Sequence, residues 1–147
     1  MLAQQAEIWR RQGWVIVMTN GCFDLLHAGH VMALETARTY GNVLIVAVNS
    51  DLSVRRLKGP DRPLNREDDR ARVLAALSCV DAVTIFPEDT ADNILSLIRP
   101  HVYTKGGDCT LEQIPERRVV ESFGGRIVIT PFLPGHSTTD LIDACRQ

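Results

Sequence analysis

Six consecutive apolar residues, Val43-Leu44-Ile45-Val46-Ala47-Val48, follow Asn42 and constrain this chain more than any other stretch. A strand with no polar face has no side to give to water, so it belongs in a parallel sheet covered by helices on both faces. Trp14 to Met18, Val83 to Phe86, Val102 to Thr104 and Arg126 to Thr130 read as further strands. Between them, helical patterns run over Leu2 to Gln12, Val31 to Tyr40, Glu67 to Leu77, Asp92 to Ile98 and Glu116 to Phe123. Asn65 with Asp68 has the spacing of an N-cap pair, and Pro100 ends the helix that begins at Asp92. Strand and helix alternate through short connections, which predicts an α/β chain with a doubly wound sheet of about five parallel strands and right-handed crossovers. With no repeat, linker or low-complexity stretch, the 147 residues form a single domain, 1–147, large enough to bury roughly two thirds of its unfolded surface.

Composition narrows the functional classes. A net charge of −2 lacks the basic excess of a nucleic-acid-binding domain, so no nucleic-acid partner is expected. Cys22, Cys79, Cys109 and Cys145 are scattered without metal-ligand spacing and read as reduced thiols. The N-terminus shows no signal-peptide core, and no apolar run reaches membrane-spanning length. The expectation is a cytoplasmic protein with no membrane partner.

In an open parallel sheet, ligands bind beyond the C-terminal ends of the strands, where the strand order switches. Four segments that follow strands are expected to converge there: Thr19 to His30, Asn49-Ser50-Asp51, Lys105-Gly106-Gly107-Asp108 and Gly135 to Thr139. The first is a strand-to-helix turn, Asn20-Gly21-Cys22-Phe23-Asp24 leading to His27-Ala28-Gly29-His30. Free backbone N–H groups and the positive end of a helix make such a turn an anion site, with phosphate the commonest occupant. Histidines at i and i+3 share a face and reach one phosphate together. A zinc pair or two incidental histidines are the competing readings, but zinc wants a third or fourth ligand and only Cys22 is near in sequence. Lys58 lies in Arg55 to Pro63, read as a basic loop with helix-breaking residues, either a solvated surface or a clamp closing on a triphosphate. Arg66 is expected to face the same way, and Arg70 and Arg72 to occupy the exposed side of a helix. The Lys105 to Asp108 segment reads as a tight turn or as a close backbone approach to a ligand. Ser137-Thr138-Thr139-Asp140 has an N-cap signature, and its helix start offers hydroxyl and N–H donors to a second set of phosphate oxygens.

The turn His27-Ala28-Gly29-His30 resembles the His-x-Gly-His hallmark of the cytidylyltransferase-like nucleotidyltransferase superfamily. More narrowly, TNGCFDLLHAGH (19–30), LIVAVNSD (44–51), RLKGPDRPLNRED (56–68), VYTKGGD (102–108), VVESFGGRIVITPF (119–132) and GHSTTDLI (135–142) resemble bacterial heptose 1-phosphate adenylyltransferases of lipopolysaccharide-precursor synthesis. The resemblance covers nearly the whole chain and implies the stand-alone form, without the sugar-kinase half that many relatives carry. Cys109 departs from the family pattern, which often has an aromatic residue there.

The resemblance implies a Rossmann-like fold and transfer of AMP from ATP to a sugar 1-phosphate, releasing pyrophosphate. His27, His30 and Lys58 would be the catalytic groups. The nucleotide would be bound by Gly21, Cys22, Phe23, His27, His30, Arg66, Gly107 and the Ser137, Thr138, Thr139 helix start. Asn20, Lys58, Lys105 and Asp108 would bind the sugar phosphate, while Asp24 braces the turn. Mg²⁺ would enter with ATP, with no protein ligand assigned. Relatives commonly form dimers, which implies a homodimer or higher homo-oligomer.

Overall fold

The computed structural model describes residues 1–107, 110–130, 142 and 145. Five strands form one sheet: β1 (Ile16–Gly21), β2 (Val43–Asn49), β3 (Ala82–Phe86), β4 (Val102–Gly106) and β5 (Arg126–Thr130). All pair in parallel, in the order β3-β2-β1-β4-β5. The order reverses direction between β1 and β4, which opens a crevice above that pair.

The all-apolar run becomes β2, buried at every position. Its side chains alternate between two cores. Val43, Ile45 and Ala47 pack with Ala6 of α1 (Leu2–Arg11), Leu95 and Ile98 of α5 (Asp92–Ile98), and Val120 of α6 (Arg117–Ser122). Leu44, Val46 and Val48 pack with Leu34 and Ala37 of α2 (Ala28–Arg38) and Leu74 of α4 (Glu67–Ala75). The strand therefore has to sit between two helical layers, as its sequence demands.

Three local expectations are corrected. The first strand was expected over Trp14 to Met18 but continues to Gly21, because Thr19, Asn20 and Gly21 pair with Val46, Ala47 and Val48. The basic segment read as a loop is in its first half a helix, α3 (Asp51–Lys58), capped by the Ser50 hydroxyl accepting from Ser53 N–H at 3.2 Å. Only Ser53 and Val54 of this helix are buried, so it has no apolar stripe to announce it. The N-cap of α4 is Arg66 rather than Asn65, whose side chain instead donates to the Asp24 carbonyl at 2.5 Å. Among the described residues no helix is long and apolar enough to cross a membrane.

Candidate active site

A cleft of about 640 Å³ opens at the C-terminal edge of the sheet, lined by Asn20 from β1, Asn49 from β2, Lys105 and Gly106 from β4 and Thr130 from β5. It therefore lies over the β1–β4 switch, and three of the four expected segments meet in it. The fourth, with Ser137, Thr138 and Thr139, lies outside the described residues, as do Asp108 and Cys109.

Gly21, Cys22 and Phe23 carry the chain from β1 into the cleft. A Cβ on Gly21 would stand 2.9 Å from the Phe23 ring, so only glycine leaves that ring room. Phe23 adopts φ 49°, a left-handed conformation costing about 1–3 kcal/mol that persists where surrounding contacts impose it. Its ring meets His30 edge-on at 5.3 Å.

His27 is the N-cap of α2 and His30 its third residue. The Gly29 N–H donates to His27 Nδ1 at 3.1 Å, and the His27 N–H to His30 Nδ1 at 3.4 Å. The histidines thus form a capping box in which imidazole nitrogens replace the usual oxygens. With each Nδ1 accepting, the neutral ring carries its proton on Nε2. The rings stack at 3.9 Å between centroids, 28° apart in plane. Burial and the neighbouring His27 lower the His30 pKa to about 4, against the opposing pull of a Leu25 backbone hydrogen bond. His30 is therefore neutral near pH 7 and serves as a hydrogen-bond donor rather than a fixed cation.

Lys58, the last residue of α3, lines the cleft and makes no ion pair among the described residues. Beyond it the chain is tied back to the turn by Asp24, whose side chain is fully buried. This carboxylate accepts from the Leu64 and Asn65 N–H groups at 2.9 Å and from Arg62 Nε at 2.8 Å. Burial alone would raise the Asp24 pKa; those amides and the guanidinium outweigh it and hold it below the usual carboxylate value. The expected bracing role of Asp24 is what this geometry shows. Cys22 also lines the cleft, its thiol pushed up by burial despite the opposing charges of Lys58, Arg70 and Arg62.

The arginines rearrange the expectations. Arg66 is exposed and does not line the cleft; Arg62, which sequence reasoning passed over, does. Arg70, expected on a solvent face, has a fully buried side chain. It donates to the Cys22 carbonyl at 2.7 Å, the Asn49 carbonyl at 2.8 Å, the Asn65 carbonyl at 2.9 Å and Asp51 Oδ1 at 2.8 Å. One guanidinium thereby joins the strand-to-helix turn, the end of β2 and the starts of α3 and α4. The signal was present: Arg70 stands four residues before Leu74, on the buried face of its helix. Glu116 and Tyr103 were missed as well. The Tyr103 hydroxyl reaches Asn20 Oδ1 at 2.5 Å and Glu116 Oε1 at 3.2 Å, beside Lys105.

Among the described residues, no three His, Cys, Asp or Glu side chains gather as a cation cage. The Lys58 and Arg62 cations and the start of α2 that line the cleft suit an anionic ligand.

A family model described as cytidylyltransferase-like matches residues 18–144. Over 143 residues the chain is 52% identical to the bifunctional protein HldE of Pelobacter propionicus, covering 97% of this chain and 29% of that protein. The corresponding protein of Acidiphilium cryptum is 54% identical over 145 residues, 99% of this chain and 30% of its own. The chain thus spans less than a third of the length of these curated relatives. Among solved structures, a lipopolysaccharide core biosynthesis protein from Thermoplasma volcanium superposes with a TM-score of 0.68 at 26% identity, over 82% of this chain and 98% of that one. A pantothenate synthetase from Thermus thermophilus, at 19% identity and a TM-score of 0.60 over 89% of this chain and 60% of its own, shares the fold alone. A parallel sheet with a histidine-capped helix at its switch point, matched by the family model over most of its length, makes this chain a member of the cytidylyltransferase-like family.

Proposed function

We propose that the chain is a nucleotidyltransferase that moves AMP from ATP onto the phosphate of a heptose 1-phosphate, giving ADP-heptose and pyrophosphate for a lipopolysaccharide precursor. The observation that carries the reading is the stacked pair His27 and His30 at the start of α2, at the strand-order switch. The similarity to HldE proteins and to a lipopolysaccharide core biosynthesis protein supports the acceptor class.

In this reading the sugar phosphate oxygen attacks the α-phosphorus in line with the departing pyrophosphate. A phosphate oxygen is already anionic at neutral pH, so no strong base is needed, and catalysis is positioning plus charge stabilisation. The imidazole Nε2–H groups of His27 and His30 donate to the α-phosphate oxygens and the leaving group, His30 exchanging its Leu25 backbone partner for a phosphate oxygen. The N–H groups of Gly21, Cys22 and Phe23 support the triphosphate. Lys58 neutralises the phosphates of both substrates, and Arg62 takes the part first given to Arg66. Asn20, Lys105, Gly107 and Asp108 lie nearer the sugar or the ribose, and the Ser137 to Thr139 segment holds further phosphate oxygens. Mg²⁺ enters with ATP, supplying charge neutralisation of the triphosphate. The chain acts in the cytoplasm, where ATP is available, and as a homo-oligomer.

The test is pyrophosphate release with Mg²⁺, pairing ATP or CTP with D-glycero-β-D-manno-heptose 1-phosphate or glycerol 3-phosphate. Release with ATP and the heptose phosphate, lost in His27→Ala, is the expected result. Release with CTP or glycerol 3-phosphate instead would select the second reading, favoured by the cytidylyl transfer for which the family is described. ATP binding with no turnover for any pair would leave a nucleotide-binding regulator.

A further inference from the structure

The two flanks of the cleft differ in charge. On the β2 side, Lys58 has no ion-pair partner among the described residues, and Arg62 adds a guanidinium of which Asp24 engages only Nε. On the β4 side, the lining cation among the described residues is Lys105, and its Nζ stands 3.7 Å from Glu116 Oε1. Glu116 is 1% exposed, a burial that strongly disfavours an uncompensated carboxylate. Lys105 Nζ and the Tyr103 hydroxyl also lie 3.4 and 2.5 Å from Asn20 Oδ1. Groups from β1, β4 and the start of α6 therefore close a polar ring around one ion pair. Both contacts of the Glu116 carboxylate among the described residues fall on Oε1, while Glu116 itself lines the cleft.

We propose that Glu116 is a specificity-determining residue, which by pairing with Lys105 makes the β4 flank a neutral subsite for a hydroxyl-bearing ring and confines phosphate to the Lys58 flank. The proposal rests on the nucleotidyltransferase reading above and assigns a selective role within the same cleft. An ammonium beside a carboxylate offers a donor next to an acceptor. Vicinal hydroxyls of a ribose or pyranose, each able to donate and accept, match such a pair. A phosphate dianion brings only acceptors, and the carboxylate repels it. Negative charge placed against the wrong group is a recognised source of discrimination between ligands.

The first measurement is calorimetric titration of inorganic pyrophosphate, which needs no turnover. Lys58→Ala is expected to weaken its binding by about tenfold or more, whereas Lys105→Met, removing an already compensated charge, changes it by less than about twofold. Glu116→Gln releases the Lys105 charge and tightens pyrophosphate binding by about three- to tenfold, a gain that Glu116→Gln/Lys105→Met abolishes. In turnover, Glu116→Gln raises the KM of the substrate whose ring occupies this flank by about tenfold with kcat little changed, and Glu116→Asp recovers part of it.

A loss of pyrophosphate affinity in Lys105→Met as large as in Lys58→Ala overturns the proposal. So does a folded Glu116→Gln with unchanged pyrophosphate affinity and unchanged KM values. If Glu116→Gln fails to fold, the contrast between the two lysine variants decides alone. The expected pyrophosphate pattern in a protein that turns over no acceptor would sustain the neutral subsite and sink the nucleotidyltransferase reading instead.

Discussion

The turn that carries His27 and His30 is held by hydrogen bonds spanning two and three residues. The segment from Arg62 to Arg70, which frames the same cleft, is held to the turn by bonds spanning 38 to 48 residues. The first is a helix start that folds its own functional groups into place; its backbone and side chains satisfy one another within one turn. The second has little of its own to hold it. Its position is set by one buried carboxylate, Asp24, and one buried guanidinium, Arg70, with Glu67 accepting from the Asp51 N–H at 2.9 Å. Damage to the histidines of the turn should therefore appear first in the rate, and damage to the bonds that tie the segment to it first in stability.

The largest effect is expected at Asp24. Asp24→Ala leaves the Leu64 and Asn65 amides and the Arg62 guanidinium without their acceptor. Removing one partner of a buried, hydrogen-bonded charge costs about 3–5 kcal/mol. Equilibrium urea unfolding measures it, and a loss below about 1 kcal/mol would mean that the segment holds itself. Next is His27→Ala, expected to lower the rate of pyrophosphate release about 10²–10³-fold, roughly 3–4 kcal/mol of barrier. Its cost in stability is that of one N-cap, about 1 kcal/mol. A variant that instead loses several kcal/mol of stability while keeping its rate would reverse the contrast between the two regions.

The turn also predicts a pH dependence. His30 titrates near pH 6.5 when unfolded and at about 4 when folded, so between these values the unfolded chain binds the extra proton. Stability from this group is complete above pH 6.5 and is lost as the pH falls toward 4. After allowance for solvent screening at this partly exposed ring, the loss is at most about 2 kcal/mol. Asp24, with its lowered pKa, adds its own loss only at lower pH, below the usual carboxylate range. Unfolding measured at pH 7 and pH 4.5 in wild type and His30→Gln isolates the histidine; equal slopes in both would remove His30 as the cause.

The same contrast explains what the sequence made legible. The sheet was readable because β2 has no polar face, and the histidine turn because its spacing is local. Two of the features that escaped, the side chains of Asn65 and Glu116, are set by partners distant along the chain. Asn65 has the composition of an N-cap, yet its amide is drawn to the Asp24 carbonyl 41 residues away. Glu116 looks like any acid at the start of a helix until β4 brings Tyr103 and Lys105 against it. Lys58 was read as a site residue on a loop; α3 placed it in the cleft on a helix, because Ser50 supplies a cap that no apolar stripe advertised. Ser137, Thr138, Thr139 and Asp108 lie outside the described residues and stay with the proposed function.

The smallest effect separates two arginines four residues apart. Arg70 has a fully buried side chain with four hydrogen-bond partners, whereas Arg66 is exposed and outside the cleft lining. Arg66 nevertheless occupies a backbone position suited to a cap, φ −68° and ψ 153°, and makes no side-chain cap hydrogen bond. A cation there also opposes the positive end of the helix, which Glu67, Asp68 and Asp69 otherwise complement. Arg66→Ser supplies the missing acceptor and removes the opposing charge, so it should stabilise the protein by about 0.5–1 kcal/mol, seen as a rise in Tm of a few degrees. Pyrophosphate release should stay within about twofold of wild type, as for surface positions remote from a ligand. A tenfold fall in rate with the Tm gain intact would instead bring Arg66 to the triphosphate, and would show that the segment moves toward the turn when substrate binds.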